Sequence, residues 1–182
     1  PELYGGTPKS AKIDELKEIV QELVDNGEKA IIFSQWSKAT RIIQRELADY
    51  NPAYVDGSVK GRDRQAQVDR FNNDPECLLY IGTIAANQEA ITLGAATYVI
   101  FTDKAWSPLA NEQAIGRSAA GGLRGVGVER VTVVDIMAHD TIEQRIEELL
   151  RQKKAVFDAL YERDGGVKIK RNTLQSLREL FE

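Results

Sequence analysis

A glutamine and two arginines lie close together in the stretch NEQAIGRSAAGGLRG, which spans residues 111–125. Gln113 brings an amide, and Arg117 and Arg124 each bring a guanidinium group. A guanidinium keeps its charge and donates two parallel hydrogen bonds, so it suits the stabilisation of phosphoryl oxygens. The small residues and glycines between these side chains predict a loop. The alternative to a phosphate-binding role is that this is a surface loop whose two arginines contact only water.

The other polar groups of interest follow short apolar runs, which indicates the strand ends of an α/β sheet. Apolar residues at helical spacing, bounded by polar turns, predict helices over 10–26, 38–50, 62–74 and 141–164. Short apolar runs predict strands over 30–36, 53–58, 77–83, 97–103 and 128–136. This alternation predicts a parallel sheet with helices on both faces, whose functional loops lie at the carboxyl ends of the strands.

The composition is that of one ordinary globular domain. The chain has 182 residues, of which 42% are hydrophobic and 29% charged. A net charge of -4 argues against a protein that grips nucleic acid over its whole surface, although a local basic patch stays compatible. A single cysteine, Cys77, excludes an internal disulfide, and a single histidine, His139, argues against a zinc site. No signal peptide or membrane-spanning run is recognisable, so we expect a cytoplasmic protein without a membrane partner.

One common nucleotide site is missing from the sequence. No GxxxxGK[ST] motif occurs, and no strand leads directly into GxGxxG. We therefore expect that the chain cannot hold a nucleoside triphosphate by a P-loop of its own. Asp56, Asp103 and Asp135 end predicted strands, but no partner acid or metal ligand is spaced beside them. Such aspartates commonly cap turns and helices, so we interpret them as structural and expect no metal ligands here.

Five segments in succession resemble the second RecA-like lobe of the Snf2-type superfamily 2 helicases and translocases. They are SAKIDEL, KAIIFSQW, YVDGSVKGRDRQAQVDRFNND, LLYIGTIAANQEAITLGAATYVIFTDKAWSPLANEQAIGR and VTVVDIMAHDTIEQRIEELLRQK. By this resemblance, residues 31–36 correspond to motif IV, 83–96 to motif V and 113–124 to motif VI. The resemblance implies a RecA-like lobe over residues 1–160, with the long last helix as the family's C-terminal brace helix, and a brace and tail extension over 161–182.

The resemblance also implies an ATP-dependent motor that moves along double-stranded DNA. In this family ATP lies between two lobes: the first carries the P-loop and the acidic residues that hold Mg2+, and the second presents arginines to the γ-phosphate. Because the chain corresponds to the second lobe, the resemblance implies that it is inactive alone and needs the first lobe as a partner. The residues implied on the ATP side are Arg117 and Arg124 as catalytic groups, with Gln113, Ala90 and Thr92 beside them.

On the DNA side, the resemblance points to residues of motifs IV and V along the strand edge. Hydroxyl, amide and cationic side chains contact phosphates without reading bases, which suits movement along any sequence. The implied contacts are Ser34, Gln35, Trp36, Lys60, Arg62, Thr83 and Asn87. Taken singly, a tryptophan such as Trp36 more often packs inside the protein than stacks on a ligand. A turn such as the one with Lys60 and Arg62 is more often solvated than bound to phosphate.

Motif VI departs from the family in the spacing of its arginines. The family shows Q-x-x-x-R-x-x-R, which Gln113 and Arg117 satisfy but Ala120 breaks. Omission of AAGG, residues 119–122, restores the pattern with Arg124 as the second arginine. We therefore interpret AAGG as a flexible insertion that loosens the geometry of the two arginines and weakens hydrolysis.

Motif V departs from the family as well. The family has a pair of glycines and one further glycine there, where this chain has Asn87, Gln88 and Ala90. Glycine lets backbone amides approach phosphate and adopts positive φ, which asparagine tolerates better than glutamine or alanine does. We therefore expect altered contact with nucleic acid or altered coupling between the lobes.

Two other functions are compatible with the sequence. A lobe with altered motifs V and VI could serve as a DNA- or protein-binding scaffold without motor activity. QAIGR is also compatible with a superfamily 2 helicase that acts on RNA, whereas DKAWSP and TIEQRI favour the Snf2 type. The Snf2 interpretation places the protein with DNA, in the nucleoid or, in a eukaryote, in the nucleus.

Overall fold

The computed structural model describes residues 10–87, 92–123, 131–138 and 141–161, with the backbone alone described for 117–123 and 155–161. Five helices and five strands occupy this part of the chain. The helices are α1 (Ala11–Asp25), α2 (Ser37–Glu46), α3 (Gly61–Asn73), α4 (Pro108–Leu123) and α5 (Ile142–Tyr161). The strands are β1 (Ala30–Ser34), β2 (Ala53–Val55), β3 (Leu79–Thr83), β4 (Tyr98–Phe101) and β5 (Thr132–Asp135). Two short 3-10 turns span Ala48–Tyr50 and Ala85–Asn87.

The strands form one parallel sheet in the order β2-β3-β1-β4-β5. Central β1 pairs with β3 and β4, which places Phe33 beside Gly82 on one side and beside Phe101 on the other. Because all the pairs are parallel, the carboxyl ends of the five strands meet at one edge of the sheet. The predicted α/β class with a parallel sheet is confirmed.

Helices cover both faces of this sheet. Side chains alternate along a strand, so Phe33 and Ile32 of β1 face opposite sides. Phe33 belongs to a core that includes Phe71 of α3 and Ala114 of α4. Ile32 belongs to a second core, which includes Leu16 of α1 and residues of α2. Burial of β1 on both faces explains why its first four residues, Ala30 to Phe33, are all apolar.

Helix α5 is fastened to the rest of the lobe by two lysines. Lys12 of α1 pairs with Glu143 at 2.6 Å. Lys104, which follows β4, pairs with Asp135 at 2.7 Å and with Glu147 at 3.2 Å. Glu143 and Glu147 lie one helical turn apart, so one face of α5 meets both lysines.

The stretch predicted as a loop is helical instead. Helix α4 runs from Pro108 to Leu123 and includes the backbone of residues 119–122. The Ser107 hydroxyl accepts a hydrogen bond from the Ala110 N–H at 3.4 Å, and proline suits the first turn that follows. Burial of Ala114 against the sheet outweighs the low helix propensity of the glycines.

Other predicted boundaries shift by a few residues. The strand predicted over 30–36 ends at Ser34, and the helix predicted over 38–50 ends at Glu46, with a separate 3-10 turn after it. Helix α5 is described from Ile142 to Tyr161, and residues 162–164 of the predicted helix lie outside the described residues. The predicted division of the chain at residue 160 stays a prediction. Across the described residues, no helix has the length and apolar character needed to cross a membrane.

Candidate functional site

Ser34 and Asp103 join the carboxyl ends of β1 and β4. The Ser34 hydroxyl donates to Oδ2 of Asp103 at 2.5 Å, and the Gln35 backbone N–H donates to Oδ1 at 2.8 Å. The Ser34 hydroxyl oxygen also accepts from the Trp36 N–H at 3.0 Å. Asp103 therefore caps the turn by which the chain leaves β1, in agreement with its structural interpretation.

A short turn after β3 is closed by Thr83 and Asn87. The Thr83 hydroxyl accepts from the Ala86 N–H at 3.3 Å. Nδ2 of Asn87 donates to the Thr83 carbonyl at 2.8 Å, and Oδ1 accepts from the Tyr80 hydroxyl at 2.7 Å. Among the described residues, the non-glycine with positive φ is Asn51, so Asn87 does not use the conformation that asparagine tolerates better than glutamine or alanine. The side chain of Asn87, rather than its backbone freedom, shapes this turn.

Three of the predicted DNA contacts are buried at this edge. Ser34 is 0% exposed, Thr83 3% and Asn87 1%. The polar atoms of Ser34 and Asn87 are hydrogen-bonded to other protein groups, and the Thr83 hydroxyl accepts from a backbone N–H. Their burial and hydrogen bonds show that these side chains help to position the edge, and direct phosphate contact by them stays a prediction.

The other predicted DNA contacts lie on the surface of the same edge. Trp36 is 59% exposed, Lys60 and Arg62 are exposed, and Gln35 is half-buried. Sequence reasoning missed Trp106, which follows β4 and is 62% exposed. Its place in DKAWSP, directly after a strand, is the signal that could have identified it. Two exposed tryptophans offer a large aromatic surface for contact with a ligand.

A buried carboxylate holds the loop that leads from β2 into α3. Asp56 is 1% exposed and accepts from the Ser58 N–H at 2.8 Å and from the Ser58 hydroxyl at 2.5 Å. The Tyr54 hydroxyl donates to it at 2.9 Å and Arg41 at 3.1 Å. Burial opposes ionisation, but these hydrogen bonds outweigh it and lower the pKa of Asp56 to about 2. The loop that carries Lys60 is thereby fixed.

The predicted ATP-side residues fall on α4 and on neighbouring segments. Gln113 is exposed, and Arg117 follows it by one helical turn, so the two positions share a face of α4. Arg124 and Ala90 lie outside the described residues. Thr92 is exposed. Two of the five predicted ATP-side positions, Gln113 and Arg117, therefore lie together on one face of α4.

The chemistry of the edge suits phosphate better than a metal ion. Its exposed or half-buried side chains include the Gln35 amide, the Lys60 ammonium and the Arg62 guanidinium group, which can donate hydrogen bonds to anionic oxygens. The carboxylates of Asp56 and Asp103 accept hydrogen bonds from groups of the lobe itself. Within the described ranges, no three acidic, histidine or cysteine side chains are grouped so that they could hold a metal ion. The edge thus fits the phosphates of a nucleotide or of DNA, and it assigns no ligand to Mg2+.

A cavity of about 240 Å³ opens between the ends of β4 and β5 and helix α5. Its lining is largely apolar and includes Phe101, Ile146 and Leu150. Trp36 and Trp106 stand at the same cavity. The two tryptophans therefore extend an apolar surface that begins under α5.

Comparison with known proteins places the chain among the helicases. Residues 11–122 match the family described as Helicase conserved C-terminal domain. The chain is 31% identical over 156 residues to the chromatin-remodeling ATPase INO80 of Candida glabrata, which covers 85% of this chain and 10% of that protein. It is 33% identical over 157 residues to the helicase-like transcription factor CHR28 of Arabidopsis thaliana, covering 84% and 16%. The chain thus spans a small part of the curated relatives it matches.

Solved structures share the fold. The crystal structure of the C-terminal part of the Fun30 ATPase domain has a TM-score of 0.71 and 24% sequence identity, covering 95% of this chain and 53% of that chain. The Sulfolobus solfataricus SWI2/SNF2 ATPase C-terminal domain has a TM-score of 0.65 and 24% identity, covering 98% and 71%. The RecA-like fold predicted from the sequence is confirmed. The chain belongs to the helicase conserved C-terminal domain family, and within it to the C-terminal lobes of the Snf2 type.

Proposed function

We propose that the chain is the second lobe of an ATP-dependent double-stranded DNA translocase. The observation that carries this proposal is the arrangement of the candidate side chains around the sheet. Exposed Trp36, Lys60 and Arg62 follow the carboxyl ends of β1 and β2. Helix α4, which carries Gln113 and Arg117, packs on the same face of the sheet as α3. Relatives named chromatin-remodeling ATPase and ATP-dependent helicase support ATP hydrolysis by the full-length protein. The lobe alone is proposed to be inactive, with the first lobe as its necessary partner and the DNA-containing compartment as its place of action.

On the ATP side, Arg117 and Arg124 are proposed to donate hydrogen bonds to γ-phosphate oxygens. Their charge stabilises the negative charge that develops on those oxygens during hydrolysis. Gln113, one turn before Arg117, is proposed to bind the same phosphate side, together with the segment that holds Ala90 and Thr92. Bound ATP supplies the phosphoryl group, and its Mg2+ is proposed to be held by acidic residues of the first lobe.

On the DNA side, Lys60, Arg62, Gln35 and Trp36 are proposed to contact the backbone. The two cations neutralise phosphates whatever the base sequence, and the glutamine amide donates to phosphate oxygens. Asp56 keeps the loop of the two cations in place. Opening and closing of the two lobes then moves these contacts relative to those of the first lobe, which advances the DNA.

DNA-stimulated ATP turnover, measured on this chain joined to a Snf2-type first lobe, tests the proposal. We expect Arg117→Ala to lower kcat by about 10³-fold or more, since arginines that stabilise a transferring phosphoryl group contribute about 10³ to 10⁵. Arg117→Lys keeps the charge but loses the planar fork, so an intermediate loss is expected. Arg145→Ala removes an exposed arginine of α5 and serves as the matched control. Equal kcat values for Arg117→Ala and the control would overturn the assigned role.

The insertion AAGG is proposed to lengthen the distance between the two arginines. Its backbone is helical, which corrects the expectation of a flexible loop. Four helical residues add about one turn and about 6 Å of rise, so positions beyond them move along the axis more than around it. Deletion of residues 119–122 from the joined protein is expected to raise turnover by about tenfold to a hundredfold. Unchanged turnover after the deletion would show that the spacing is immaterial.

A scaffold without motor activity is the second candidate function, favoured by the altered residues of motifs V and VI. The same joined protein separates the two, because a scaffold binds duplex DNA but shows no DNA-stimulated turnover. Duplex DNA and RNA of equal length, compared as stimulants, separate a DNA translocase from an RNA-directed helicase. Greater stimulation by RNA would overturn the assignment to DNA.

A further inference from the structure

Asn87 stands where the family has glycine, and the fold contains a matching space for its side chain. Asn87 is 1% exposed and ends the 3-10 turn Ala85–Asn87. Its amide lies against Gly82 of β3, where an added Cβ would collide with Nδ2 of Asn87. The larger residue at position 87 is therefore accommodated because position 82 has no side chain.

Both heavy atoms of the Asn87 amide have protein partners. Nδ2 bonds the Thr83 carbonyl and Oδ1 bonds the Tyr80 hydroxyl. Tyr80 is fully buried and packs edge-on against Phe71, with 5.6 Å between ring centroids. Burial raises the pKa of Tyr80, so its hydroxyl stays protonated and keeps donating to Oδ1. Removal of the amide would leave two buried polar groups without a partner, which is costly.

The turn that Asn87 closes is tied to the neighbouring strand of the candidate edge. The Ile84 N–H donates to the Ser34 carbonyl at 2.9 Å, which continues the pairing of β1 and β3 beyond Thr83. The Asn87 N–H donates to the Ile84 carbonyl at 3.2 Å. The side chain of Asn87 thus spans the turn from its last residue back to its first. Movement of Asn87 would be transmitted to the junction of motifs IV and V.

We propose that Asn87 is a positioning residue, which fixes the motif V turn by a buried side-chain clamp with Tyr80 and Gly82 as its required partners. As far as it concerns ATP turnover, this inference rests on the proposed motor function. Its distinctive consequence is that the family's own residue, glycine, harms this lobe.

The test compares Asn87→Gly with Asn51→Gly in the chain joined to a first lobe. Asn51 is exposed with a φ of 46°, so glycine fits there without loss. We expect Asn87→Gly to lower the melting temperature by about 5 °C. At a temperature where circular dichroism shows it folded, we expect DNA-stimulated kcat to fall by about tenfold or more. Asn51→Gly is expected to leave both quantities unchanged.

Gly82→Ala tests the required partner. Alone, it is expected to displace the Asn87 amide and to reproduce the losses of Asn87→Gly. In the Asn87→Gly background, we expect Gly82→Ala to lower the melting temperature by less than it does in the unmutated protein. The Asn87 amide, which is the nearest obstacle to the added Cβ, is then absent, and the next polar neighbour is the Val55 carbonyl at 3.1 Å. Tyr80→Phe removes one hydrogen bond and is expected to give a smaller loss in the same direction. Equal costs of Gly82→Ala in the two backgrounds would overturn the clamp.

Failure of the clamp and failure of the motor function give different results. If the unmutated joined protein shows no DNA-stimulated turnover, the motor function fails, and amide hydrogen exchange at Ala86 and Asn87 then tests the clamp alone. Faster exchange in Asn87→Gly than in Asn51→Gly supports it, and equal exchange overturns it. If turnover is present and Asn87→Gly lowers the melting temperature without changing kcat or the half-saturating DNA concentration, Asn87 is only structural and the proposal is wrong.

Discussion

The carboxyl edge of the sheet has an inner and an outer row of polar residues that differ in what they can do. In the inner row, Ser34, Asp56 and Thr83 are at most 3% exposed and their side chains are hydrogen-bonded within the lobe. In the outer row, Lys60 and Arg62 are exposed. Residue type and strand-end position predict that a residue belongs to this edge. Burial then decides whether it holds the edge or meets a ligand.

The two rows should respond differently to substitution. Removal of one partner from a buried hydrogen bond leaves a group unsatisfied and costs about 1–3 kcal/mol. Substitution of an exposed side chain usually changes stability by about 0.5 kcal/mol or less. We therefore expect inner-row variants to lower the free energy of unfolding, and outer-row variants to weaken DNA binding instead.

The largest effect is expected for Asp103→Ala, which removes the acceptor that joins β1 to β4. The Ser34 hydroxyl and the Gln35 N–H both lose their partner, so we expect a loss of about 3 kcal/mol in the free energy of unfolding. Urea unfolding of the chain measures it. Asp69→Ala, which removes an exposed aspartate of α3, is the control and should stay near the unmutated value. A loss no larger than that of the control would contradict the assignment of Ser34, whose partner is Asp103, to the inner row.

A smaller, pH-dependent effect is expected for Asp56→Asn. The folded pKa of Asp56 is about 2, below its ordinary value of 3.8, so its ionised form stabilises the fold above about pH 4 and this contribution is lost as the pH falls through 2. The shift corresponds to about 2 kcal/mol. Urea unfolding at several pH values should show a difference between the two proteins that is largest near neutral pH and shrinks toward pH 2. A difference that is constant over this range would contradict the role of the charge.

The sheet and most helices could be predicted because their signals are local. The run AIIF is apolar on both alternating sides because β1 is buried on both faces, and it therefore marks a central strand. Helix α4 escaped prediction since its glycines and small residues resemble a loop. The helix is stabilised by the packing of Ala114 and by the hydrogen bond that the Ser107 hydroxyl accepts at its start. Packing against a strand that is distant in sequence cannot be seen in a local pattern.

The candidate site could be located from the sequence but not divided into its two rows. The partner of Ser34 is Asp103, which lies 69 residues further along the chain, so its burial depends on the order of strands in the sheet. From the sequence, Asn87 is a mild departure from glycine, and its buried side-chain role could not be predicted because the space left by Gly82 becomes visible only when the turn folds back on β3. Trp106 is exposed because it lies beyond the end of its strand.

The smallest effect on stability, and the most direct test of the outer row, is expected for the double variant Lys60→Ala with Arg62→Ala. Each cation that neutralises a phosphate contributes about 0.9 to the slope of log affinity against log salt concentration, so loss of both should reduce that slope by about 2 in the joined protein. The unfolding free energy should stay within about 0.5 kcal/mol of the unmutated value, because both side chains are exposed. Arg151→Ala with Lys153→Ala removes the same charge from an exposed part of α5. If the slope falls equally for the two double variants, DNA affinity depends only on the net charge of the lobe. Lys60 and Arg62 would then form no specific phosphate site.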